Sequence, residues 1–597
     1  MKATYLLPIA LTVLIVIFFA GLPALQVCPP PKRLADEKRG WRSHWFILLL
    51  TLVYCVVAFA NLGDTRAPQS FRQLDNEYAD IELANPSPIG RVMLYTGIVQ
   101  GSYTIQFSQD GETWIPAANY EQGHAALLKW EEPVLFAVPE GAVRKVRIIG
   151  YDGAELGEVA LFSPAGELLS VSCGVTELCD EQALVPDTPF YLNSSYFDEI
   201  YHARTAWEHL RGMWPYEISH PPLGKEILSL GILLFGMTPF GWRFMGTLFG
   251  AAMLPLIYWF ARKLFGGKTV PACCAALLAT DFMRFAQTRI ATIDTYGVFF
   301  ILLMYGFMYD YLQTRSRKAL ALSGLFFGLG AASKWTCLYA GAGLGVLWLG
   351  DWIRQARAAA PEGRALGEKT ADAQPGRAFL QNVGWCLIFF VAVPALIYYL
   401  SYLPYGLARG AAPFSLDYTK IVWDNQVFMF SYHKGVNATH PYSSRWYQWV
   451  LDIRPILFYL KRFDDGRRSS FGAWVNPVLC WAGLLSLFVL LYMALIRRDR
   501  KAGFLLWGYL AQLLPWVLIT RTTFEYHYFP SSVFLVLALG YVFSLMRDCE
   551  KNWKWRVFGL CGLSAALFVL FYPAISGLPV NSEIATKLLK WLPTWPF

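Results

Sequence analysis

Twelve apolar stretches, each long enough or nearly long enough to cross a bilayer, recur along the chain. They lie near 5–25, 45–63, 243–261, 270–287, 292–312, 319–333, 336–350, 380–400, 476–496, 503–519, 530–546 and 557–575. About 20 predominantly apolar residues cover the hydrocarbon core as a helix. In that core each backbone N–H and C=O must bond within its own segment, so the spans must be helical. The pattern predicts a polytopic α-helical membrane protein of about 12 spans. The stretches at 319–333 and 336–350 are short and read as broken or tilted. Composition agrees: of 597 residues 55% are hydrophobic and only 16% charged. Soluble chains carry about a quarter charged residues. Disorder, a rod and a plain cytosolic enzyme are excluded. The net charge of +8 does not point to nucleic acid, because Lys and Arg in a membrane protein first mark cytoplasmic loops.

That bias sets the orientation. With alternate loops taken as cytoplasmic, 28–44, 262–268, 313–318, 351–378, 497–502 and 547–556 hold 24 of the 51 Lys and Arg in 74 residues. The long segment 64–241 holds ten in 178 residues. The segments 64–241 and 401–475 are therefore expected on the outer face of the cell membrane. The parity favours a first span that is retained over a cleaved signal peptide, whose charged region would be Lys2 alone. Of 11 cysteines, only Cys173 and Cys179 fall in an expected outer segment. They are a candidate disulfide closing a short loop. The division that follows is 1–63, the first two spans; 64–192, an outer insertion; 193–242, an outer loop with interfacial helices; 243–400, spans; 401–475, a second outer loop; and 476–597, the last spans and an outer tail.

The insertion changes period. Arg91–Tyr95, Tyr103–Phe107 and Val143–Ile149 alternate as strands do, and Gln109–Gly111, Pro139–Gly141 and Asp152–Gly153 mark turns. Short strands with regular turns predict a β-sandwich or jelly roll. The run Val143–Ile148 followed by Leu156–Phe162 resembles the ending of discoidin-like, carbohydrate-binding jelly rolls. That likeness implies a module that holds a glycan or acceptor chain; a spacer domain without ligand is the alternative.

The chemistry concentrates after Asn193. Asp198 and Glu199 are adjacent, so they cannot face the same way on a helix or strand. One can address chemistry while the other takes another partner. A carboxylate near a membrane surface has a raised pKa and makes a usable general base. Further on, Pro221 and Pro222 stop any helix, and Gly224-Lys225 starts an amphipathic run at the outer interface. The triplets at Asn193 and Asn437 match glycosylation sequons.

Asp198-Glu199 some twenty residues before His220-Pro-Pro-Leu-Gly-Lys225 resembles the first external loop of the protein O-mannosyltransferase family, C-type (GT-C) glycosyltransferases that use polyprenyl- or dolichyl-phosphate sugars. Four further motifs follow in the family's order: Arg289 to Asp294, Ser333-Lys334-Trp335, Thr439-His440 through Arg445 to Trp449, and Tyr526-His527-Tyr528. The segment 401–475 is too short for the β-trefoil of eukaryotic members. The insertion 64–192 and the extra first span lie outside the usual family core.

The resemblance implies a sugar, mannose, carried on a polyprenyl phosphate and passed to Ser or Thr of exported protein. The lipid tail stays in the bilayer while the phosphate meets cations at the outer ends of spans. Asp198 is the expected base and Glu199 a positioning or acceptor group. His220, Lys225, Arg289, Asp294, Lys334, His440, Arg445, Arg521, Tyr526, His527 and Tyr528 are the expected donor-binding set. Ionisable groups within or beside spans are costly and are functional candidates; snorkelling and interfacial anchoring are the plainer readings of each one alone. A departing lipid phosphate needs no proton, so one base suffices for an inverting displacement, whereas inverting hydrolases need two spaced carboxylates. No cofactor and no metal are expected, since Gly-rich phosphate loops and Cys/His clusters are missing from the sequence. The expected partners are the lipid-linked sugar, an exported acceptor protein or glycan, and the bilayer. A lipid or cell-wall glycan acceptor is the variant reading, and a lipid-linked sugar flippase the second alternative. A transporter places ionisable groups at mid-membrane and often repeats its halves; here the groups gather at one face.

Overall fold

A computed structural model describes residues 6–22, 25–26, 28–34, 44–358, 375–435 and 439–597. Most of the basic loops 28–44 and 351–378 falls partly or wholly outside these residues, as does the triplet at Asn437. The chain forms two compact units, one of residues 1–60, 208–227 and 246–597, the other of 61–207 and 228–245.

In chain order the helices are α1 (Leu6–Ala20), α2 (Trp45–Phe59), α3 (Glu199–Leu210), α4 (Leu223–Phe235), α5 (Pro239–Phe265), α6 (Thr269–Ala279), α7 (Phe282–Thr288), α8 (Asp294–Thr314), α9 (Arg317–Ser333) and α10 (Thr336–Ala358). They continue as α11 (Pro375–Leu387), α12 (Val393–Leu400), α13 (Leu403–Ala408), α14 (Leu416–Gly435), α15 (Trp446–Trp449), α16 (Pro477–Leu495), α17 (Arg500–Leu513), α18 (Phe529–Cys549), α19 (Trp553–Ser576) and α20 (Ser582–Leu589). Each of the twelve apolar stretches is centred on helix among the described residues. Among the described residues, six helical segments are long and apolar enough to cross a membrane. The span expected over 270–287 is the pair α6 and α7, bent by 58° at its break, and it makes a seventh where the pair counts as one span. Asp281 makes that corner: its carboxylate caps α7 by accepting from Arg284 N at 3.1 Å and also accepts from Asn476 N at 3.1 Å. Asn476 in turn caps α16.

A five-residue π turn at Ile388–Ala392 joins α11 to α12. There Gly324 of α9 lies so close that a Cβ would stand 2.1 Å from Phe389 O. Small residues let helix backbones approach in this way where the surrounding lipid is as apolar as the side chains. A three-stranded sheet is built of β10 (Ile456–Arg462), β11 (Arg467–Ala473) and β12 (Val580–Asn581), numbered after the nine strands of the other unit.

The second unit holds β1 (Arg72–Leu74), β2 (Glu77–Ser87), β3 (Arg91–Thr96), β4 (Ser102–Ser108), β5 (Ile115–Glu121), β6 (Lys129–Glu131), β7 (Val143–Tyr151), β8 (Ala154–Phe162) and β9 (Val171–Cys173). They form two antiparallel sheets, ordered β1-β8-β3-β6 and β5-β4-β7-β2-β9. Alternate residues turn to a shared core, with the phase of β8 shifting at a bulge between Leu156 and Val159. Val92, Leu94, Leu156 and Val159 come from one sheet; Ile81, Ile105, Phe107 and Ile148 come from the other. Asp152 and Gly153, both left-handed at φ 59° and 69°, carry the chain from β7 in one sheet to β8 in the other. Cys173 and Cys179 are joined as a disulfide with Cα atoms 6.0 Å apart.

Candidate functional site

Asp198 opens α3. Its carbonyl accepts from Tyr201 N and His202 N, each at 3.1 Å, and the residue is half-buried. Phe197 before it has φ +50°, a left-handed conformation that costs a bulky L residue roughly 1–2 kcal/mol. Such strain persists only where surrounding bonds impose it. Arg243 of α5 supplies them. Its guanidinium forks onto Glu199 at 2.7 Å twice and donates to Leu62 O at 2.9 Å, Tyr191 O at 2.7 Å and Ser194 O at 2.7 Å. Both Arg243 and Glu199 are fully buried. Glu199 is thus held bidentately in the interior, with both carboxylate oxygens on Arg243. Asn193, inside one sequon, is also buried and accepts from Phe190 N at 2.9 Å, so its amide is a turn cap.

In the helical unit the segment 217–225 folds onto a buried lysine. Lys225 Nζ donates to Glu217 Oε2 at 2.6 Å, Glu217 O at 2.7 Å and His220 O at 3.0 Å. Its three N–H groups are all taken, which corrects the expectation that Lys225 grips a phosphate. Glu217 also accepts from, or shares a proton with, His220 Nδ1 at 3.0 Å. The His220 ring lies 5.2 Å from that of His433 on α14, and His433 lies 6.0 Å from Trp335. Burial holds His433 down at about 4, helped by the positive field of His220, Arg521 and Lys334. It is neutral at physiological pH.

Lys334 is the extended residue that ends α9. It pairs with Asp294, the first residue of α8. Its Nζ stands 5.6 Å from the centre of the Tyr526 ring. Tyr526 stacks on His527 at 4.5 Å, and His527 meets Trp516 at 4.3 Å and Trp449 at 6.0 Å. Phe524, in the same turn, packs edge-on to His440 at 4.9 Å. The structure therefore gathers His220, Asp294, Lys334, His440, Tyr526 and His527 into one run of contacts.

Beside it lies a cavity of about 300 Å³ lined by His440, Arg445, Arg521, Gln448 and six Ser and Thr residues. Arg445 donates to Thr520 O at 2.8 Å and Arg521 only weakly to Thr522 O at 3.5 Å. Neither forms an ion pair among the described residues. Burial also lowers the pKa of His440.

Two expected donor ligands face elsewhere. Tyr528 is buried with its hydroxyl 2.9 Å from that of Tyr509. Arg289 is buried and donates to Ala58 O at 3.0 Å and Ala60 O at 2.9 Å, tying α2 to the turn after α7. Both side chains bond protein groups in the interior, because a buried donor without a partner is costly. Arg243, Glu217 and His433 lie outside the site residues expected from the sequence. An arginine at the start of an apolar stretch was itself a signal for Arg243; His433 had none beyond its place in an outer segment.

Apolar helices long enough to cross a membrane, with a hydroxyl- and guanidinium-lined cavity closed by the loops at 439–445 and 520–523, fit a polytopic membrane protein of the C-type glycosyltransferase fold. The yeast (S. cerevisiae) protein O-mannosyltransferase Pmt1–Pmt2 complex bound to the sugar donor shares this fold, with a TM-score of 0.57 at 14% identity over 68% of this chain and 89% of that one. Two family models match, the dolichyl-phosphate-mannose-protein mannosyltransferase region over 219–358 and the C-terminal four-span region of protein O-mannosyltransferases over 418–595. Together they span more than half of the chain, and it belongs to the protein O-mannosyltransferase family. Among relatives, the polyprenol-phosphate-mannose–protein mannosyltransferase of Mycolicibacterium smegmatis is 27% identical over 67% of this chain and 87% of its own. That of Mycobacterium tuberculosis is 25% identical over 67% and 86%. Both matched regions begin after Asp198 and Glu199.

Proposed function

We propose that this protein moves mannose from a polyprenyl phosphate to Ser or Thr hydroxyls of exported proteins, at the outer face of the cell membrane. Family membership and the names of the mycobacterial relatives support the donor and the acceptor class. The observation that carries the reading is the cavity bearing Arg445 and Arg521, neither with a carboxylate partner among the described residues. Two guanidiniums among hydroxyl donors match a phosphate, which accepts forked, charge-assisted bonds.

In this reading Asp198 takes the proton of the acceptor hydroxyl. The oxygen then attacks the anomeric carbon opposite the phosphate, the C–O bond to phosphate breaks, and configuration inverts. The leaving phosphate keeps the electron pair and needs no proton; preorganised cations stabilise its growing charge in a water-poor site. Lys334, held by Asp294, adds to the same field, and Tyr526 and His527 wall the sugar. The twelve helical stretches act as twelve passes, and the outer β-sandwich holds the acceptor chain.

The test uses membranes with radiolabelled polyprenyl-phosphate mannose and a Ser/Thr-rich acceptor peptide. Label passes to the peptide, and Arg521→Ala raises the donor KM. Label appearing only in lipid or glycan would overturn the protein acceptor. Deletion of 66–190 is expected to change acceptor preference; an unchanged preference would make the sandwich a spacer.

A further inference from the structure

One group of charges in the β-sandwich lacks an internal counterweight. Glu158 of β8 is fully buried, and its Oε1 has no hydrogen-bond partner. Asp180 and Glu181 follow the disulfide. One carboxylate oxygen from each of the three residues lies within 4.8 Å of the others. None of the three forms an ion pair with Lys, Arg or His among the described residues. Three acceptor-only groups so placed repel unless a cation or a proton sits between them.

We infer that Glu158, Asp180 and Glu181 form a calcium site that clamps the two chain ends of the β-sandwich. The donors are oxygen only, which selects a hard cation. Ligands on opposite sides of calcium, at 2.3–2.6 Å each, stand up to about 5 Å apart, whereas magnesium's 2.0–2.1 Å would draw them to about 4 Å. Separations of at most 4.8 Å admit either ion; the uneven set, one buried carboxylate and two nearer solvent, suits calcium's flexible shell better than magnesium's strict octahedron. Water completes the shell on the exposed Asp180 side.

The place of the cluster gives the ion a task. Glu181 Oε2 accepts from Gln69 N at 2.7 Å, and Asp180 Oδ2 accepts from Ser70 Oγ at 3.2 Å. Residues 69–70 enter the sandwich and 180–181 leave it. Gln69 also trades hydrogen bonds with the Met237 main chain at 3.0 and 3.1 Å, in the turn between α4 and α5. Arg243 lies six residues further on. A cation on the three carboxylates thus stiffens the junction from which the Asp198 loop is hung. The proposed outer-face placement matters here only because calcium is plentiful there; sites of extracellular modules bind at about 0.1–1 mM.

Without an ion, burial and the neighbouring Asp180 and Glu181 charges push Glu158 up to about 8, so a bound proton is the competing solution. The two are separable with the full-length enzyme in detergent, stripped with EDTA. Terbium is titrated while emission sensitised by Trp130 and Tyr95 is read, and calcium is used to displace it. Thermal unfolding is followed with and without calcium. The site predicts displacement at about 0.1–1 mM calcium and a midpoint raised by about 5 °C at 10 mM. Asp180→Asn, on an exposed side chain that leaves the core untouched, weakens terbium binding at least about tenfold, and Glu158→Gln does the same. Equal terbium titration of wild type and Asp180→Asn overturns the site. So does a midpoint indifferent to calcium that falls as pH rises from about 4.5 to about 8 and levels off above, which marks a protonated Glu158. Neither readout depends on sugar transfer, so a failed transfer reaction and a failed calcium site are told apart.

Discussion

Arg243 shows how much of a site can hang on one side chain. It satisfies Glu199 and three carbonyls while the neighbouring Phe197 stays left-handed. Removing one partner of a buried ion pair strands the other and costs about 3–5 kcal/mol. Arg243→Met is therefore expected to lower the thermal midpoint and to abolish transfer together. Arg243→Lys keeps the charge but loses the fork, and is expected to recover stability better than activity. A variant with normal activity would show that the loop needs no such anchor. Arg521 belongs to the same scale, and in the proposed function it acts on ligand. A hydrogen bond to a charged group contributes about 1.5–3 kcal/mol, so Arg521→Ala should raise the donor KM roughly 10- to 100-fold with the fold intact. At this scale the sequence exposed residue types better than their duties. Lys225, Arg289 and Tyr528 carried the motif signal, yet each is buried against protein. A motif marks that a residue matters without saying whether it faces ligand or scaffold.

Among the elements, the corner between α9 and α10 and the turn before α18 do the positioning. The first presents Lys334 and Trp335, the second Tyr526 and His527. Helix α14 brings His433 against His220 and Trp335. Its folded pKa, about 4, lies below the ordinary 6.5. The unfolded chain then binds the proton first as pH falls, so stability is lost between about 6.5 and about 4 and changes little above that range. Unfolding midpoints measured from pH 7 to pH 4 should fall, and His433→Asn should flatten that slope; an unchanged slope in the variant would place the titration elsewhere. Element existence was legible because apolar runs and alternation are local. Strand β2 was not foreseen, since Glu77–Ser87 interleaves charged residues and proline with its core positions. The break between α6 and α7 was also missed: the Asp281 cap that bends the helix depends on Asn476, almost two hundred residues away.

For the whole molecule, the charge bias predicts a single orientation. A cysteine placed at Ser443 should react with an impermeant maleimide in intact cells, and one at Lys554 only after permeabilisation; the reverse pattern would invert the map. The helical framework could be read from sequence because a bilayer permits few solutions. The cavity of Arg445 and Arg521 could not, because loops separated by some seventy residues close it. The central claim is that Asp198 is the base of a mannosyl transfer. Its most direct test is single-turnover transfer of labelled mannose to peptide by Asp198→Asn with donor prebound. The account predicts a drop of about 100- to 10,000-fold in rate, in keeping with loss of a general base, with donor affinity and thermal midpoint unchanged; transfer near the wild-type rate would contradict it.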